Sequence, residues 1–163
     1  MSFLTLKRIV VIALLAFTAH TWTAAFAQSF SNYDGDFPES VSISYHQKVE
    51  MRDGVVLATD VYLPNKKGKF PTLLVRDIYS NGSSQIRQRY AKFATNNGYA
   101  FVFQSVRGRY DSEGEWYPYF QEIEDGDDTL TWIAAQSWSD GQVGMFGSSY
   151  LASVQWLAAL NKN

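Results

Sequence analysis

The sequence lacks cysteine altogether, which excludes a disulfide framework and any metal site built from thiolates. Histidine is scarce as well, because the chain contains only His20 and His46. No basic stripe is present and the formal net charge is −2 at pH 7, so we do not expect nucleic acid as a partner. No cluster of residues implies a metal ion or an organic cofactor. Any chemistry is therefore expected to come from the chain's own side chains and backbone groups.

Apolar runs long enough for a comfortable transmembrane helix are missing too. The short apolar stretch at 9–17 follows Lys7 and Arg8 and precedes an Ala-x-Ala site at Ala25-Phe26-Ala27. These are the three parts of a secretory signal peptide, and we interpret residues 1–27 in that way. An uncleaved membrane anchor is the alternative. We predict export to the periplasm or the extracellular space, without stable membrane insertion after cleavage.

The remaining chain is divided by its composition. Residues 28–39 are polar and contain Gly35 and Pro38, which predicts a loose leader. Residues 40–163 are predicted to form a single domain. Aromatic residues make up 16% of the sequence, which favours a packed globular core for that domain.

Strand and helix patterns predict a mixed α/β sheet. Residues 41–63 are expected to form an antiparallel hairpin around Asp53-Gly54, because strand-forming segments lie on both sides of that turn. Residues 70–160 predict the order βαβαβα, which is typical of a parallel sheet with right-handed crossovers. We expect strands at 41–45, 49–51, 55–63, 70–75, 99–103 and from 143, and helices at 124–138, from 151 and on a face of Ile86, Tyr90, Phe93 and Ala94.

Residues 144–152 are typical of a strand end, a sharp turn that carries a serine, and a helix start. Gly147 permits the tight turn, and Ser149 is the candidate nucleophile, because the nucleophile elbow of α/β-hydrolases holds a serine hydroxyl clear of its neighbours. Ser148 is the rival hydroxyl, which we expect the turn to aim elsewhere. The pattern Gly-x-Ser-x-Gly is incomplete, since Leu151 stands at the second glycine. A simple loop is the alternative interpretation.

Longer motifs between residues 48 and 160 resemble a known family. They are Met51-Arg52-Asp53-Gly54-Val55, Arg107-Gly108, Ser112-Glu113-Gly114, residues 127–133, Trp138-Ser139-Asp140-Gly141, Val143-Gly144-Met145, Gly147 with Ser149-Tyr150, and Gln155-Trp156. On these residues the chain resembles the family of cocaine esterase and the X-Pro dipeptidyl-peptidases, and the related α-amino acid ester hydrolases. It departs from the family at Ala152, where glycine is usual, and at Ile78, where proline is frequent.

The resemblance implies that residues 40–163 form an incomplete α/β-hydrolase domain, with Ser149 as the nucleophile of a cofactor-free acyl-enzyme mechanism. It also implies two oxyanion-hole donors, the backbone N–H of Tyr150 and the hydroxyl of Tyr79, which would stabilise the charge of a tetrahedral intermediate. The substrates implied are small-molecule esters or short X-Pro peptides, and the sequence leaves both open. For Tyr79, an aromatic side chain packed at a strand end is the alternative.

A serine nucleophile needs a base, and α/β-hydrolases order their triad as Ser, then Asp or Glu, then His. His46 precedes the serine and lies in the opening hairpin, so we do not expect it to be that base. No acid or histidine lies between Leu151 and Asn163. We therefore expect a longer hydrolase whose triad Asp and His lie beyond Asn163. The isolated chain is expected to lack turnover and to leave the elbow strand as a bare, aggregation-prone sheet edge. An inactive exported remnant or a binding module is the alternative.

Two groups of charged residues are considered as possible functional sites. The first lies in the long connection after the second parallel strand and consists of Arg107, Arg109, Asp111 and Glu113. We expect these to form an internal salt-bridge network that holds the connection, and contact with substrate is the alternative. Asp127 and Asp128 are expected in the first turn of the next helix, where the helix dipole favours acids.

Overall fold

The computed structural model describes residues 10–11, 36, 41–79 and 84–160. The predicted signal peptide and the predicted leader lie outside the described residues, apart from three positions. Within the described ranges, no helix is long and apolar enough to cross a membrane.

Six strands and three helices make up the described part of the chain. The strands are β1 (Val10–Val11), β2 (Ser42–Glu50), β3 (Val56–Leu63), β4 (Phe70–Asp77), β5 (Ala100–Ser105) and β6 (Ser139–Met145). The helices are α1 (Ser84–Asn96), α2 (Glu122–Ala135) and α3 (Tyr150–Ala159). From β4 onward the order is βαβαβα, which confirms the prediction from the sequence.

The strands form one mixed sheet in the order β1-β6-β4-β5-β3-β2. β4 lies parallel between β5 and β6, where Leu74 pairs with Val102 on one side and Met145 on the other. β3 runs antiparallel to β5, and β2 runs antiparallel to β3, so the opening hairpin extends the parallel centre on one side. Because β4 and β6 are parallel neighbours, their carboxyl ends lie side by side at the same edge of the sheet.

The opening hairpin turns at Gly54, whose φ of +85° suits a residue without a Cβ. The two segments expected as separate strands before this turn form the single strand β2, which is interrupted by a bulge around His46. His46 adopts φ +53° there, and its N–H donates to Oδ1 of Asp60 at 3.0 Å. The polar residues between the two segments are thus accommodated in a bulge and not in a loop.

Helices cover both faces of the sheet. Successive strand residues point to opposite sides, so alternate residues of one strand pack against different helices. Leu74 and Val102 lie in the cluster with α2 and α3, whereas Val75 and Phe103 lie in the cluster with α1. The helical members of these clusters are Leu130 and Ile133 of α2, Val154 and Ala158 of α3, and Ala91 and Ala94 of α1.

Helices α2 and α3 pack closely, because Gly126 lies against Ala158. A Cβ added to Gly126 would stand 2.7 Å from the Cβ of Ala158, closer than two side chains can approach. Glycine at this helical position therefore lets α3 lie against α2, and it brings Tyr150 at the start of α3 near Glu122 at the start of α2.

Helix α1 buries only part of the face expected for it, since Ala94 is buried and Tyr90 packs on the core cluster but Ile86 does not. Ala91, Ala94 and Thr95 are buried, whereas Ile86 in the first half of the helix is 48% exposed. Including Ile86 in the buried face was wrong, because helical spacing identifies a face but not the length over which the sheet covers it.

Helix α2 begins two residues earlier than expected, at Glu122, and ends at Ala135. Asp127 and Asp128 consequently lie in its second turn, and placing them in the first was wrong. Both bind Arg52 of the hairpin turn, whose Nη2 lies 2.6 Å from Asp127 and 2.7 Å from Asp128. These ion pairs tie α2 to the hairpin.

We expected the outer edge of β6 to be bare, but in the structure another strand covers it. Val10 and Val11 pair with it in parallel, opposite Gly144 and Met145. Because these two valines belong to the predicted signal peptide, cleavage after Ala27 would remove β1 and open this edge.

Candidate active site

Ser149 occupies the turn between β6 and α3 in a strained conformation. Its φ is +58° and its ψ is −127°, values that residues with a side chain rarely adopt. Such a backbone costs on the order of 1–3 kcal/mol and is found mostly at functional sites. Ser149 is exposed, so the hydroxyl at this turn is accessible.

Gly147 explains how the turn tolerates Leu151 at the position of the second motif glycine. The φ of Gly147 is +138°, and a Cβ on it would lie 2.5 Å from the Cβ of Leu151. Leu151 packs against the core cluster on the α1 face of the sheet. The turn therefore needs glycine at 147, while the space beside it is filled by the leucine.

Tyr79 contacts the candidate nucleophile directly. The Tyr79 hydroxyl donates to Oγ of Ser149 at 3.2 Å, and the tyrosine side chain is half exposed. Tyr79 follows the end of β4, and Ser149 follows the end of β6, so the pairing of these parallel strands brings the two residues together. The alternative, an aromatic side chain packed at a strand end, does not fit a side chain that is half exposed.

The loop that carries Tyr79 is held by hydrogen bonds on both sides. Oδ1 of Asp77 accepts the N–H of Tyr79 at 3.1 Å, which is the geometry of an Asx turn. Nε of Arg109 donates to the carbonyl of Ile78 at 3.1 Å, and the N–H of Val106 donates to the carbonyl of Asp77 at 3.1 Å. The buried Ile78 therefore sits in a fixed loop although it is not the proline frequent in the family.

The backbone N–H of Tyr150 stands at the amino end of α3. The N–H groups of Leu151 and Ala152 donate to the carbonyls of Ser148 and Ser149. In the described part of the chain, no backbone carbonyl accepts the N–H of Tyr150. This amide is one of the unpaired donors that begin any helix, at the positive end of the helix dipole.

The side chain of Tyr150 is buried behind the turn. Its hydroxyl donates to Oε1 of Glu122 at 2.9 Å and accepts the N–H of Tyr119 at 3.1 Å. The rings of Tyr119 and Tyr150 stack with their centroids 4.9 Å apart. Burial raises the pKa of Tyr150 above its ordinary value, so the phenol stays protonated and remains a donor.

A buried polar network lies next to this tyrosine and was not identified from the sequence. Arg76 is 1% exposed, and its Nη1 donates to Oε2 of Glu122 at 2.6 Å. Nε of Arg76 donates to Oε1 of Gln104 at 2.8 Å, and Gln104 in turn donates to the Thr59 hydroxyl at 3.1 Å. The available signal was the presence of Arg76 and Gln104 at the ends of otherwise apolar strands, since such residues are buried only with partners.

The charged residues of the long connection bind partners outside their own group. Arg107 forms two bidentate pairs, with Asp53 and Asp125 at shortest distances of 2.7 Å each. Oε2 of Glu113 accepts the N–H of Val56 at 3.3 Å. The salt bridges of Arg107 therefore hold the connection, as expected, and they do so by tying it to the hairpin and to α2.

These ion pairs also shift the pKa values of Arg107 and Asp53. Hydrogen bonding to Asp125 is the main cause that raises the pKa of Arg107. Hydrogen bonding to Arg107 holds the pKa of Asp53 below its usual value. Both groups are therefore charged at neutral pH.

His46 lies far from Ser149. Its strand, β2, is four strands away from β6 in the sheet, which corresponds to about 19 Å at the usual strand spacing. Its Nδ1 is 3.5 Å from Oδ2 of Asp111, and both side chains are exposed. Among the described residues no three His, Asp or Glu side chains are grouped as metal ligands would be.

A mixed sheet with parallel central strands, helices on both faces and a serine in a strained strand-to-helix turn defines an α/β-hydrolase core. A family model described as X-Pro dipeptidyl-peptidase (S15 family) matches residues 53–163. The chain belongs to this family, as the motifs in its sequence predicted.

Individual relatives agree with this assignment. The chain is 43% identical over 132 residues to the cocaine esterase of Rhodococcus sp. (strain MB1 Bresler), an alignment that covers 78% of this chain and 22% of the esterase. It therefore spans about one fifth of that relative. A CocE/NonD family hydrolase from Staphylococcus aureus superposes with a TM-score of 0.66 at 32% identity, over 74% of this chain and 25% of that one. An α-amino acid ester hydrolase superposes with a TM-score of 0.65 at 27% identity, over 78% and 25%.

Proposed function

We propose that this chain carries the nucleophile and the oxyanion hole of a serine hydrolase that cleaves esters through an acyl-enzyme on Ser149. The observation that supports it most is the 3.2 Å contact between the Tyr79 hydroxyl and Oγ of Ser149 at a strained turn. A hydroxyl donor next to a nucleophilic oxygen is well placed for the oxygen of a carbonyl that the nucleophile attacks.

The proposed reaction has two stages. Oγ of Ser149 attacks the carbonyl carbon while a base takes its proton, and the carbonyl oxygen becomes negatively charged. The N–H of Tyr150 and the hydroxyl of Tyr79 donate to this oxygen, and the alcohol then leaves with a proton as the acyl-enzyme forms. Water hydrolyses the acyl-enzyme in the second stage and regenerates the serine.

The base is proposed to come from a part of the protein that follows Asn163. His46 is about 19 Å away by strand spacing, beyond the reach of a direct hydrogen bond. We place the triad Asp and His after Asn163, in the order that α/β-hydrolases follow. The short coverage of the cocaine esterase, 22% of its length, supports this placement.

Esters are proposed as substrates in preference to X-Pro peptides. The 43% identical relative is an esterase, and a superposed relative is an ester hydrolase. The test compares hydrolysis of an activated ester and of an X-Pro amide by the protein expressed from its complete reading frame. Faster cleavage of the amide would reverse the preference.

The role of Ser149 is tested by Ser149→Ala in the same protein, with Ser148→Ala as the matched control. We expect Ser149→Ala to abolish turnover and covalent labelling by a fluorophosphonate, and Ser148→Ala to retain both. Labelling that survives in Ser149→Ala would refute the proposed nucleophile.

We also propose that the protein is exported. The support is the arrangement of Lys7 and Arg8, the apolar stretch 9–17 and the Ala-x-Ala site ending at Ala27. Sequencing of the mature protein should find Gln28 as the first residue. A mature chain that still contains residues 9–17 would favour the membrane anchor.

A further inference from the structure

We propose that Glu122 is a positioning residue that holds the two oxyanion-hole donors, Tyr150 and Tyr79, in a fixed relation to each other. The inference rests on the function proposed above and adds a residue that the motifs do not include. Glu122 is 4% exposed, and both of its carboxylate oxygens are bound, one to Tyr150 and the other to Arg76.

The first link fixes Tyr150. Its ring stacks on Tyr119, and its hydroxyl is bound on two sides, by Oε1 of Glu122 at 2.9 Å and by the N–H of Tyr119 at 3.1 Å. A side chain held at its tip and on its face has one accessible rotamer, so the backbone at Tyr150 has little freedom to rotate. The direction of the Tyr150 N–H is therefore determined partly by a carboxylate 28 residues earlier in the chain.

The second link reaches the strand that carries Tyr79. Nη1 of Arg76 donates to Oε2 of Glu122 at 2.6 Å, and Nε of Arg76 donates to Gln104 at 2.8 Å. Arg76 is in β4, three residues before Tyr79. The chain of contacts Tyr150–Glu122–Arg76 therefore joins the start of α3 to the end of β4.

The strength of these contacts suits a positioning role. Hydrogen bonds to a carboxylate are shorter and about twice as strong as neutral ones, and burial strengthens them further. An oxyanion hole must hold its donors within about 0.5 Å of the productive geometry. The chain of contacts that links the two donors should therefore affect turnover more than substrate binding, because the negative charge develops only in the transition state.

The test uses Tyr150→Phe, which removes only the hydroxyl, in the protein expressed from its complete reading frame. Tyr117→Phe is the matched control, because the hydroxyl of Tyr117 binds the exposed Glu115 in the same connection. We expect Tyr150→Phe to lower kcat about tenfold, less than the loss of a whole donor, while KM changes less than about twofold. Activity is counted per serine labelled by a fluorophosphonate, so that unfolded molecules do not contribute.

A boronic acid, which mimics the tetrahedral intermediate, supplies a readout that a merely structural effect would not move. Its Kd should weaken in Tyr150→Phe by the same factor as kcat, and Tyr117→Phe should leave both unchanged. Equal Kd values in Tyr150→Phe and the parent protein would overturn the proposal.

Glu122→Gln tests whether the contacts of Tyr150 and of Arg76 both act through Glu122. The double variant Glu122→Gln/Tyr150→Phe should lose no more activity than the single variant with the larger loss, since both substitutions break the same chain of contacts. Losses that multiply in the double variant would show independent effects and would also overturn it.

Ser149→Ala separates this proposal from the proposed function. An inactive Ser149→Ala together with an unchanged kcat in Tyr150→Phe overturns the positioning role alone. Turnover that survives in Ser149→Ala overturns the proposed function and the positioning role with it.

Discussion

The hydroxyl of Tyr79 lies 3.2 Å from Oγ of Ser149, although 70 residues separate them in the chain. The two residues belong to different parts of the chain, since Tyr79 follows β4 and Ser149 follows β6. The contact exists because β4 and β6 are parallel neighbours, so that the residues following their carboxyl ends meet. The strand order therefore assembles the candidate site, and substitutions at the site and in the network around it test that assembly.

Tyr79→Phe tests the hydroxyl as an oxyanion donor. We expect kcat/KM for an activated ester to fall about 100-fold, mostly through kcat, because the donor is used when charge develops. Tyr99→Phe is the control, since Tyr99 precedes β5 at the opposite edge of the sheet. Equal kinetics in the Tyr79 variant and its parent would exclude the role.

Gly147→Ala tests the steric requirement of the turn. The added Cβ would collide with Leu151, whose Cβ is 2.5 Å from its position. Gly68→Ala is a matched control, because Gly68 has a similar φ, +142° against +138°, and nothing within 4 Å of an added Cβ. Gly147→Ala should lower the free energy of unfolding by about 1–3 kcal/mol more than Gly68→Ala. Urea unfolding measures the difference, and equal losses would mean that backbone strain alone requires the glycine.

Arg76→Met tests the buried ion pair with Glu122. The substitution keeps apolar volume but leaves the Glu122 carboxylate without its cation, and removing one partner of a buried pair typically costs about 3–5 kcal/mol. We expect a loss of that size in the free energy of unfolding. Arg52→Met, which removes a partly exposed arginine that pairs with Asp127 and Asp128, should cost clearly less. Similar losses in the two variants would contradict a special role for burial.

Asp53→Asn tests the pairing of the hairpin with Arg107 through its pH dependence. The pKa of Asp53 is lowered in the folded protein, so its contribution to stability is present above the unfolded pKa and is lost as the pH falls through the folded pKa. Asp53→Asn should therefore lower the urea midpoint at neutral pH and reduce the difference between neutral pH and about pH 3. Asp140→Asn is the control, since Asp140 is an exposed aspartate hydrogen-bonded to Gln142. The pairing would be unimportant if both variants showed the same pH dependence.

Local sequence patterns predicted much of the framework. The turn at Asp53-Gly54, the alternation of strands and helices from Phe70 onward and the glycine before the serine turn were all predicted from neighbouring residues. Each of these depends on properties of adjacent residues, such as periodicity and the φ values open to glycine, so no distant contact is needed to identify them.

The features that the sequence did not predict correctly also share a cause, which is their dependence on distant parts of the chain. The exposure of Ile86 depends on how far the sheet extends under α1, and the pairing of Asp127 and Asp128 depends on the neighbouring hairpin. The salt bridges that hold the long connection were predicted, but the sequence did not identify their partners, which for Arg107 lie in the hairpin and in α2. Such contacts are decided by which elements become neighbours.

The sequence by itself determined the family, the serine turn and the order of the elements, because motifs and periodicity are written in consecutive residues. The tertiary structure alone decided that Tyr79 meets Ser149 and that Glu122 joins Tyr150 to Arg76. The physical reason is which elements become neighbours: β4 lies beside β6, which brings Tyr79 to Ser149, and α3 packs on α2, which brings Tyr150 to Glu122. A strand order is a property of the packed sheet, so no stretch of the chain contains it.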